Sequence, residues 1–555
     1  MNQLKHSISE AVKNTFYEDV EIELTRPDEK FGDYSTNVAM KLSKKVGKNP
    51  REIAEILVSV LSEQKGTIND VGIAGPGFIN FTLTDEALLD LTNQEINKEY
   101  EGQTILAEYS DPNPFKPLHA GHLYTTLVGD VIARLVEKGG ARTIRLNYGG
   151  DVGLHAAKSM WAITKNLGGE LPERLNDIAV DERPFWLGKR YVEGNDAYEE
   201  NDESKSEIVE VNKRIYKLHA DNDRESDFSK IYWTCREWSY EAFKGLYSQL
   251  EVHPFDRFIP ESEVVDLGVK TVMRQLDNGV YKKSDGAVIF AGDDHGLHNR
   301  VFINSENLPT YETKEVGLLL TKWQDYKFDK SVIITANEID QYMKVVLKSI
   351  EQYEPELPKR TIHITHGMVK LEGGVKMSSR KGNVITAQDI IGSANQAAIE
   401  NRFETSQQTV LAAIKYAFVK NRVGGDVIYN PEESIALEGN SGPYLQYAHA
   451  RARSILAKSS KEPSLPVNEL EKDERALVRK VGEFNEVIEK SINELAPHLI
   501  CNYLYELAQV FNRFYESNRV IGDERESLRI TLVKMYADRL KSGLELLGIT
   551  APDRM

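Results

Sequence analysis

Cysteine is nearly absent: Cys235 and Cys501 are the two in 555 residues. Two thiols cannot build a disulfide framework or a four-thiolate zinc site. Both read as small buried apolar side chains of a protein kept in a reducing cytosol. Long apolar runs are missing as well. No stretch approaches the roughly 20 residues that span a bilayer. The amino terminus, Met1-Asn-Gln-Leu-Lys-His-Ser, lacks the basic and apolar regions of a secretory leader. The expectation is a cytoplasmic protein without a membrane partner. An excess of positive charge is the third absence. The formal net charge is −17, whereas proteins that hold nucleic acid by counterion release are usually basic. Any RNA contact must then rest on local patches, shape and base readout.

What is present is ordinary globular composition, 41% hydrophobic and 28% charged, with length for roughly three or four domains. Residues 1–98 read as a small α+β unit. Asn49-Pro50 starts a helix through Ile53-Ala-Glu-Ile-Leu-Val-Ser-Val-Leu61, and the turn Gly75-Pro-Gly77 leads into a strand, Phe78-Ile-Asn-Phe-Thr-Leu83. Residues 99–400 alternate strand and helix. A strand at Thr104–Tyr109, an amphipathic helix from about Gly121 to Lys138 stopped by Gly139-Gly140, and a strand at Thr143–Tyr148 make a βαβ unit, the seed of a doubly wound parallel sheet. Further strands are expected at Ser331–Thr335 and Thr361–Thr365, with a mostly helical insertion over about 168–300. Helical periods dominate 401–555, which reads as an all-α bundle.

Two motifs carry chemistry. His119-Ala-Gly-His122 sets two imidazoles where a strand-end turn becomes a helix. Spacing alone leaves zinc ligation, a polar helix start or phosphate recognition open. A helix N-terminus offers free N–H groups and the positive end of its dipole, and Gly121 lets a nucleotide approach the backbone. The second motif is a glycine-flanked loop, Leu371-Glu-Gly-Gly-Val-Lys-Met-Ser-Ser-Arg-Lys-Gly382. Its cations Lys376, Arg380 and Lys381, with hydroxyls Ser378 and Ser379, suit a triphosphate and a leaving pyrophosphate. Alone, each motif has a bland reading as a capped helix or a solvated loop. Together they describe a nucleotide site with no metal held by the protein.

This pair resembles the HIGH and KMSKS signatures of class I aminoacyl-tRNA synthetases. Glu108-Tyr-Ser-Asp-Pro-Asn113, Lys116-Pro-Leu-His-Ala-Gly-His122, Asn147-Tyr-Gly-Gly-Asp-Val-Gly153, Leu308-Pro-Thr-Tyr-Glu-Thr-Lys-Glu315, His366-Gly-Met-Val369 and Ser441-Gly-Pro-Tyr-Leu-Gln-Tyr-Ala-His-Ala-Arg451 resemble the arginyl members in order and spacing. The resemblance implies a multidomain α/β protein: a Rossmann-type parallel-sheet catalytic domain, an N-terminal α+β domain that contacts tRNA, a helical insertion, and a C-terminal all-α anticodon-binding bundle. It implies ligation of L-arginine to tRNA(Arg) through an arginyl-adenylate, with ATP and accompanying Mg²⁺, by a monomer that needs bound tRNA before it activates arginine. Main rivals are lysine, glutamate or cysteine synthetases, a small nucleotidyltransferase, and an idle tRNA-binding paralogue.

Carried over by the resemblance, His119, His122, Lys116 and Lys376 are catalytic. Gly121, His366, Met368, Met377, Ser378, Arg380 and Lys381 bind ATP, and Glu108, Asn113, Tyr311, Glu315 and Asp151 bind arginine. Carboxylates facing an aromatic plane suit a guanidinium. Three departures stand out: Ser379 replaces the loop's second lysine, which shifts weight onto Lys116; Glu315 is longer than the usual aspartate; and Ile339, beside Glu338 and Gln341, stands where a glutamine is usual. For tRNA, Phe78 and Asn80 suit an extruded base, and Tyr444, Tyr447, His449, Arg451 and Arg453 interleave aromatics with bases.

Overall fold

The computed structural model describes residues 2–555 apart from 64–65, 373–384, 402–405 and 465–468. At the N-terminus, strands Tyr34–Thr36, Phe78–Leu83 and Ile68–Ala74 form an antiparallel sheet with Phe78–Leu83 in the middle. Helix Pro50–Ser62 packs on it and begins as the sequence requires: Pro50 opens the first turn, and Asn49 Oδ1 accepts from Arg51 N at 2.9 Å.

The central sheet is parallel, in the order Thr361–His366, Lys330–Ala336, Thr104–Glu108, Arg142–Gly149, Arg257–Pro260. The chain enters in the middle, builds outward through Arg142–Gly149 and Arg257–Pro260, then returns on the other side. The winding reverses between Thr104–Glu108 and Lys330–Ala336. In such sheets a crevice opens there, beyond the carboxyl ends of the strands.

The helix that follows Thr104–Glu108 runs Ala120–Lys138 and is buried almost all round, because the C-terminal helices cover the side facing away from the sheet. It is therefore an interior helix, more buried than an amphipathic pattern implies. Gly129 lets it approach: a Cβ there would lie 2.2 Å from the Tyr109 ring.

The insertion is helical through Asp227–Gln249. Beyond that the region stays mostly helical, with Glu261–Asp277, but strands interrupt it. Arg257–Pro260 is the fifth strand of the central sheet, and Lys282–Ser284, Ala287–Phe290 and Arg300–Ile303 form an antiparallel sheet of their own. A strand also falls inside the region read as wholly helical: Val427–Tyr429 pairs in parallel with Val369–Leu371, which ties the chain after 400 back to the catalytic part.

Helices from Gly442–Leu456 to Glu526–Leu546 make the C-terminal bundle. It holds the N-terminal unit through ions. Arg475 reaches Asp33 at 2.6 Å and Asp85 at 2.5 Å, and Arg26 Nε donates to Glu486 at 2.9 Å. No helix among the described residues is long and apolar enough to cross a membrane. Cys235 and Cys501 are buried and unpaired, and burial pushes both thiols far up.

Candidate active site at the sheet's switch point

His119 caps the buried helix. Its Nδ1 accepts from Gly121 N at 3.1 Å and His122 N at 3.3 Å, while His122 Nδ1 accepts from His119 N at 3.3 Å. The rings stack at 3.7 Å. A Cβ on Gly121 would sit 2.9 Å from the His119 ring, so this start admits only glycine. Because each Nδ1 accepts a backbone N–H, the proton of each neutral ring belongs on Nε2. Burial, reinforced by Lys116, lowers His119 to about 4; burial and the neighbouring His119 drive His122 well down. Two neutral Nε2–H donors result, at a helix start suited to a phosphate.

Ile385 O accepts from Ala120 N at 2.8 Å, and Leu118 O accepts from Ala387 N at 2.9 Å. The chain just after the basic loop is thus laced to the histidines. Lys376, Met377, Ser378, Ser379, Arg380 and Lys381 themselves lie outside the described residues.

Between Thr104–Glu108 and the helix, Ser110, Asp111 and Phe115 have φ of 76°, 48° and 69°. Three non-glycine residues in the left-handed region within one short loop are backbone strain held at a functional crevice. Asn113 is fixed by Gly150, whose N–H donates to Asn113 Oδ1 at 2.8 Å, which leaves the Asn113 amide nitrogen to face a ligand. Lys116 lies with Nζ 4.6 Å from the Tyr191 ring centre, on the insertion.

Acids crowd the other side of the crevice. Glu108 is 2% exposed, and its Oε2 meets Lys322 Nζ at 2.7 Å, Lys322 having no exposure at all. Glu108 was expected to bind the guanidinium; one of its oxygens is already committed to Lys322. Burial, then the charge of Glu108, pushes Glu315 up to about 8 and Asp111 well above its usual range. Tyr342 donates to Glu315 Oε1 at 3.1 Å. Near them Glu261 pairs with Lys314 at 2.5 Å. Tyr311 is 54% exposed, an open plane at the rim.

Asp151, expected in the arginine pocket, is a structural anchor. It is fully buried, and its oxygens accept from Ser262 N at 2.9 Å, Ser262 Oγ at 2.7 Å and Arg236 Nε at 3.0 Å, which fastens the insertion to the sheet. His366 lies beside the helix start, with Nε2 2.7 Å from Thr125 Oγ1. Met368 is exposed, but its N–H already donates to Asp426 Oδ1 and its carbonyl accepts from Val427 N, so only its side chain is available. Ile339 and Glu338 fall in a short turn after Lys330–Ala336, and Gln341 is bound to its neighbour Asp340 at 3.0 Å.

Sequence reasoning passed over Lys322, Tyr342 and Tyr148. Lys322 had a signal: it lies two turns after Glu315 on one helix, just past the apolar run Leu318-Leu-Leu320, where a solvated lysine is out of place.

The tRNA candidates divide. Phe78 is 40% exposed at the start of the middle strand of its sheet, which excludes a core role, and Asn80 lies two residues along the same strand. Tyr447 is exposed on the bundle. Tyr444 accepts from Asn512 at 3.0 Å and packs on Tyr505, so it belongs partly to the bundle's packing. Arg451 lies over Tyr515 at 4.5 Å, and Arg453 pairs with Asp553 at 3.0 Å. His449 is buried against Pro552 O and holds the C-terminal tail instead of facing RNA. Among the described residues no group of three or more His, Cys, Asp or Glu is placed to hold a metal.

Comparison with known proteins bears directly on this arrangement. The family model described as tRNA synthetases class I (R), catalytic domain, matches residues 84–432. The arginyl tRNA synthetase N terminal domain matches 2–83, and the DALR anticodon binding domain 445–555. An arginine--tRNA ligase of Lactobacillus delbrueckii subsp. bulgaricus is 30% identical over 97% of this chain and 96% of its own. One of Porphyromonas gingivalis is 28% identical over 100% of both. Among solved structures, Thermus thermophilus arginyl-tRNA synthetase superposes with a TM-score of 0.80 at 23% identity over 100% of both chains. The Plasmodium falciparum enzyme gives 0.79 at 21% over 100% of this chain and 99% of its own.

Proposed function

The chain belongs to the arginyl-tRNA synthetases and ligates arginine to tRNA(Arg) with ATP, and from that premise we propose which of its residues perform the reaction. The observation that carries the assignment of the pocket is its charge. Glu108, Asp111 and Glu315 crowd one end of the crevice, and among the described residues the one lysine bonded to them, Lys322, is already spent on Glu108. A guanidinium entering there is the missing cation. It would restore Glu315 to its ionised form, with Tyr311 as the plane beside it. Asn113, held through its oxygen, turns its amide nitrogen to the substrate's carboxylate.

That carboxylate attacks the α-phosphorus of ATP, and pyrophosphate leaves as the arginyl-adenylate forms. The Nε2–H groups of His119 and His122 meet the α-phosphate oxygens as their charge grows, at a helix start that adds its own N–H groups. Lys116 supplies the charge that the second lysine of the loop would otherwise bring, with Lys376, Arg380 and Lys381 on the departing pyrophosphate. Gly121 and His366 line the nucleotide side, with Met368, Met377 and Ser378. Mg²⁺ comes with the triphosphate, whose oxygens are the hard ligands it prefers.

For the second substrate, Phe78 and Asn80 receive the outer corner of the tRNA. Tyr447 and Arg451, with Tyr444 and Arg453 beside them, receive unpaired anticodon bases. The protein acts as a cytoplasmic monomer, in three units of 1–98, 99–400 and 401–555.

Pyrophosphate exchange tests this reading with each amino acid in turn, with and without tRNA(Arg). Exchange that depends on arginine and on tRNA is expected. Exchange with lysine, or with arginine equally in the absence of tRNA, would contradict the pocket or the tRNA requirement respectively.

A further inference from the structure

We propose that Tyr342 and Tyr148 are specificity-determining residues of the arginine pocket: the Tyr342 hydroxyl holds the Glu315 carboxylate in place, and the Tyr148 hydroxyl receives the guanidinium beside it. This rests on the reading of that pocket given above.

The turn after Lys330–Ala336 puts its amides in solvent: Asn337 and Gln341 are both exposed, Gln341 bonded to Asp340, while Ile339 is apolar and Glu338 exposed. The polar group that this turn brings to the pocket is the Tyr342 hydroxyl, 3.1 Å from Glu315 Oε1. Its single proton goes to the carboxylate, because burial and Glu315 hold the phenol well above its ordinary range. A carboxylate fixed through one oxygen keeps its plane, and a planar guanidinium needs a planar partner.

Tyr148, near the end of Arg142–Gly149, is 8% exposed, and its hydroxyl has no partner among the described residues. Buried hydroxyls are rarely left so in native proteins. The Tyr148 N–H donates to Asp111 Oδ1 at 2.7 Å, among the acids, and burial, then Glu261, Glu315, Tyr342 and Glu108, hold its phenol well above the usual range. A guanidinium has five N–H donors, more than the Glu315 carboxylate can accept. A neutral phenol oxygen beside it takes one more without adding charge. An ammonium has no planar fork with which to reach both, so the pair favours arginine over lysine.

The test uses the full-length enzyme with tRNA(Arg) and the single variants Tyr342→Phe, Tyr148→Phe and Glu315→Gln. Each phenylalanine variant should raise KM for arginine about tenfold, the scale of one lost charge-assisted hydrogen bond, and far more than KM for ATP. Tyr342→Phe should also move the acid limb of kcat/KM for arginine to higher pH. Glu315 faces Glu108, Asp111, Glu261, Lys322 and Tyr148, and it would lose the bond that favours its charged form. A plain packing role would not move that limb. If Glu315→Gln weakens arginine while both phenylalanine variants keep the wild-type KM, the inference falls and the pocket stands; a single silent variant removes that tyrosine. If Glu315→Gln itself leaves KM for arginine unchanged, the pocket reading falls first.

Discussion

His119 and His122 cap each other: the N–H of each donates to Nδ1 of the other, at 3.3 Å in both directions. The exchange fixes both tautomers and, with burial, keeps both rings neutral. A neutral imidazole has no proton to gain above its depressed value, which for His119 is about 4. The rate of pyrophosphate exchange at saturating substrates should therefore show no limb near pH 6.5 that belongs to these rings. His119→Ala should lower that rate by about 10²-fold or more through lost donation to the α-phosphate, at every pH between 5 and 8 alike. A wild-type limb in that range that vanishes in the variant would show that His119 works as a cation.

Among the described residues Lys116 pairs with no carboxylate and lies against the face of Tyr191. Lys116→Ala should lower exchange by about 10²-fold, with KM for arginine little changed. A full rate in the variant would return the whole task to the loop.

Glu315 gives the clearest dependence on pH. In the unliganded pocket it titrates near 8, raised by burial and by Glu108. Arginine binds the carboxylate, so binding at pH 7 must expel a proton. Calorimetry in buffers of different ionisation enthalpy should count close to one proton released at pH 7 and fewer above pH 9, while kcat/KM for arginine climbs through pH 8. Glu315→Gln should abolish the release and raise KM for arginine far more than KM for ATP. The sign for stability runs the other way. A raised carboxyl pKa stabilises the unliganded fold at low pH and loses that contribution as pH rises through 8, so protection by arginine should grow with pH.

Asp151 separates structure from substrate binding. Asp151→Ala leaves Arg236 largely buried without its partner and should destabilise the protein by about 3 kcal/mol or more. Below the transition KM for arginine should hold. A variant of normal melting temperature that binds arginine poorly would put Asp151 back in the pocket.

Phe78→Ala should raise KM for tRNA(Arg) about tenfold, the scale of one lost base stack, and leave arginine and ATP constants alone. An unchanged tRNA constant would leave Phe78 as a bare surface residue.

The parallel sheet was legible because its strands are short apolar runs set off by glycine and proline punctuation, as at Thr104–Glu108 and Gly139-Gly140. Arg257–Pro260 was not, for four residues between two helices carry no period. The hairpin after it had a readable signal in Asp285-Gly286, both with positive φ, a turn pair that joins antiparallel strands. The interior helix misled because its sheet-facing pattern says nothing of the distant helices that cover its back. At the site, His119 was singled out by its motif at a helix start and Asn113 by the family resemblance. Tyr342 and Lys322 act only through neighbours brought in by the fold, and Asp151 sits in a matched block yet serves the insertion.

Lys322, sealed beneath Glu108, has a further meaning. The crevice behaves like an unfinished core: Glu108 has received its basic neighbour from the chain, and Glu315 waits for one from solution. Arginine is then less a guest in a cavity than the last side chain of the interior. An arginine-free enzyme should resemble a protein with a core residue deleted, its other parts intact and that corner alone loosened.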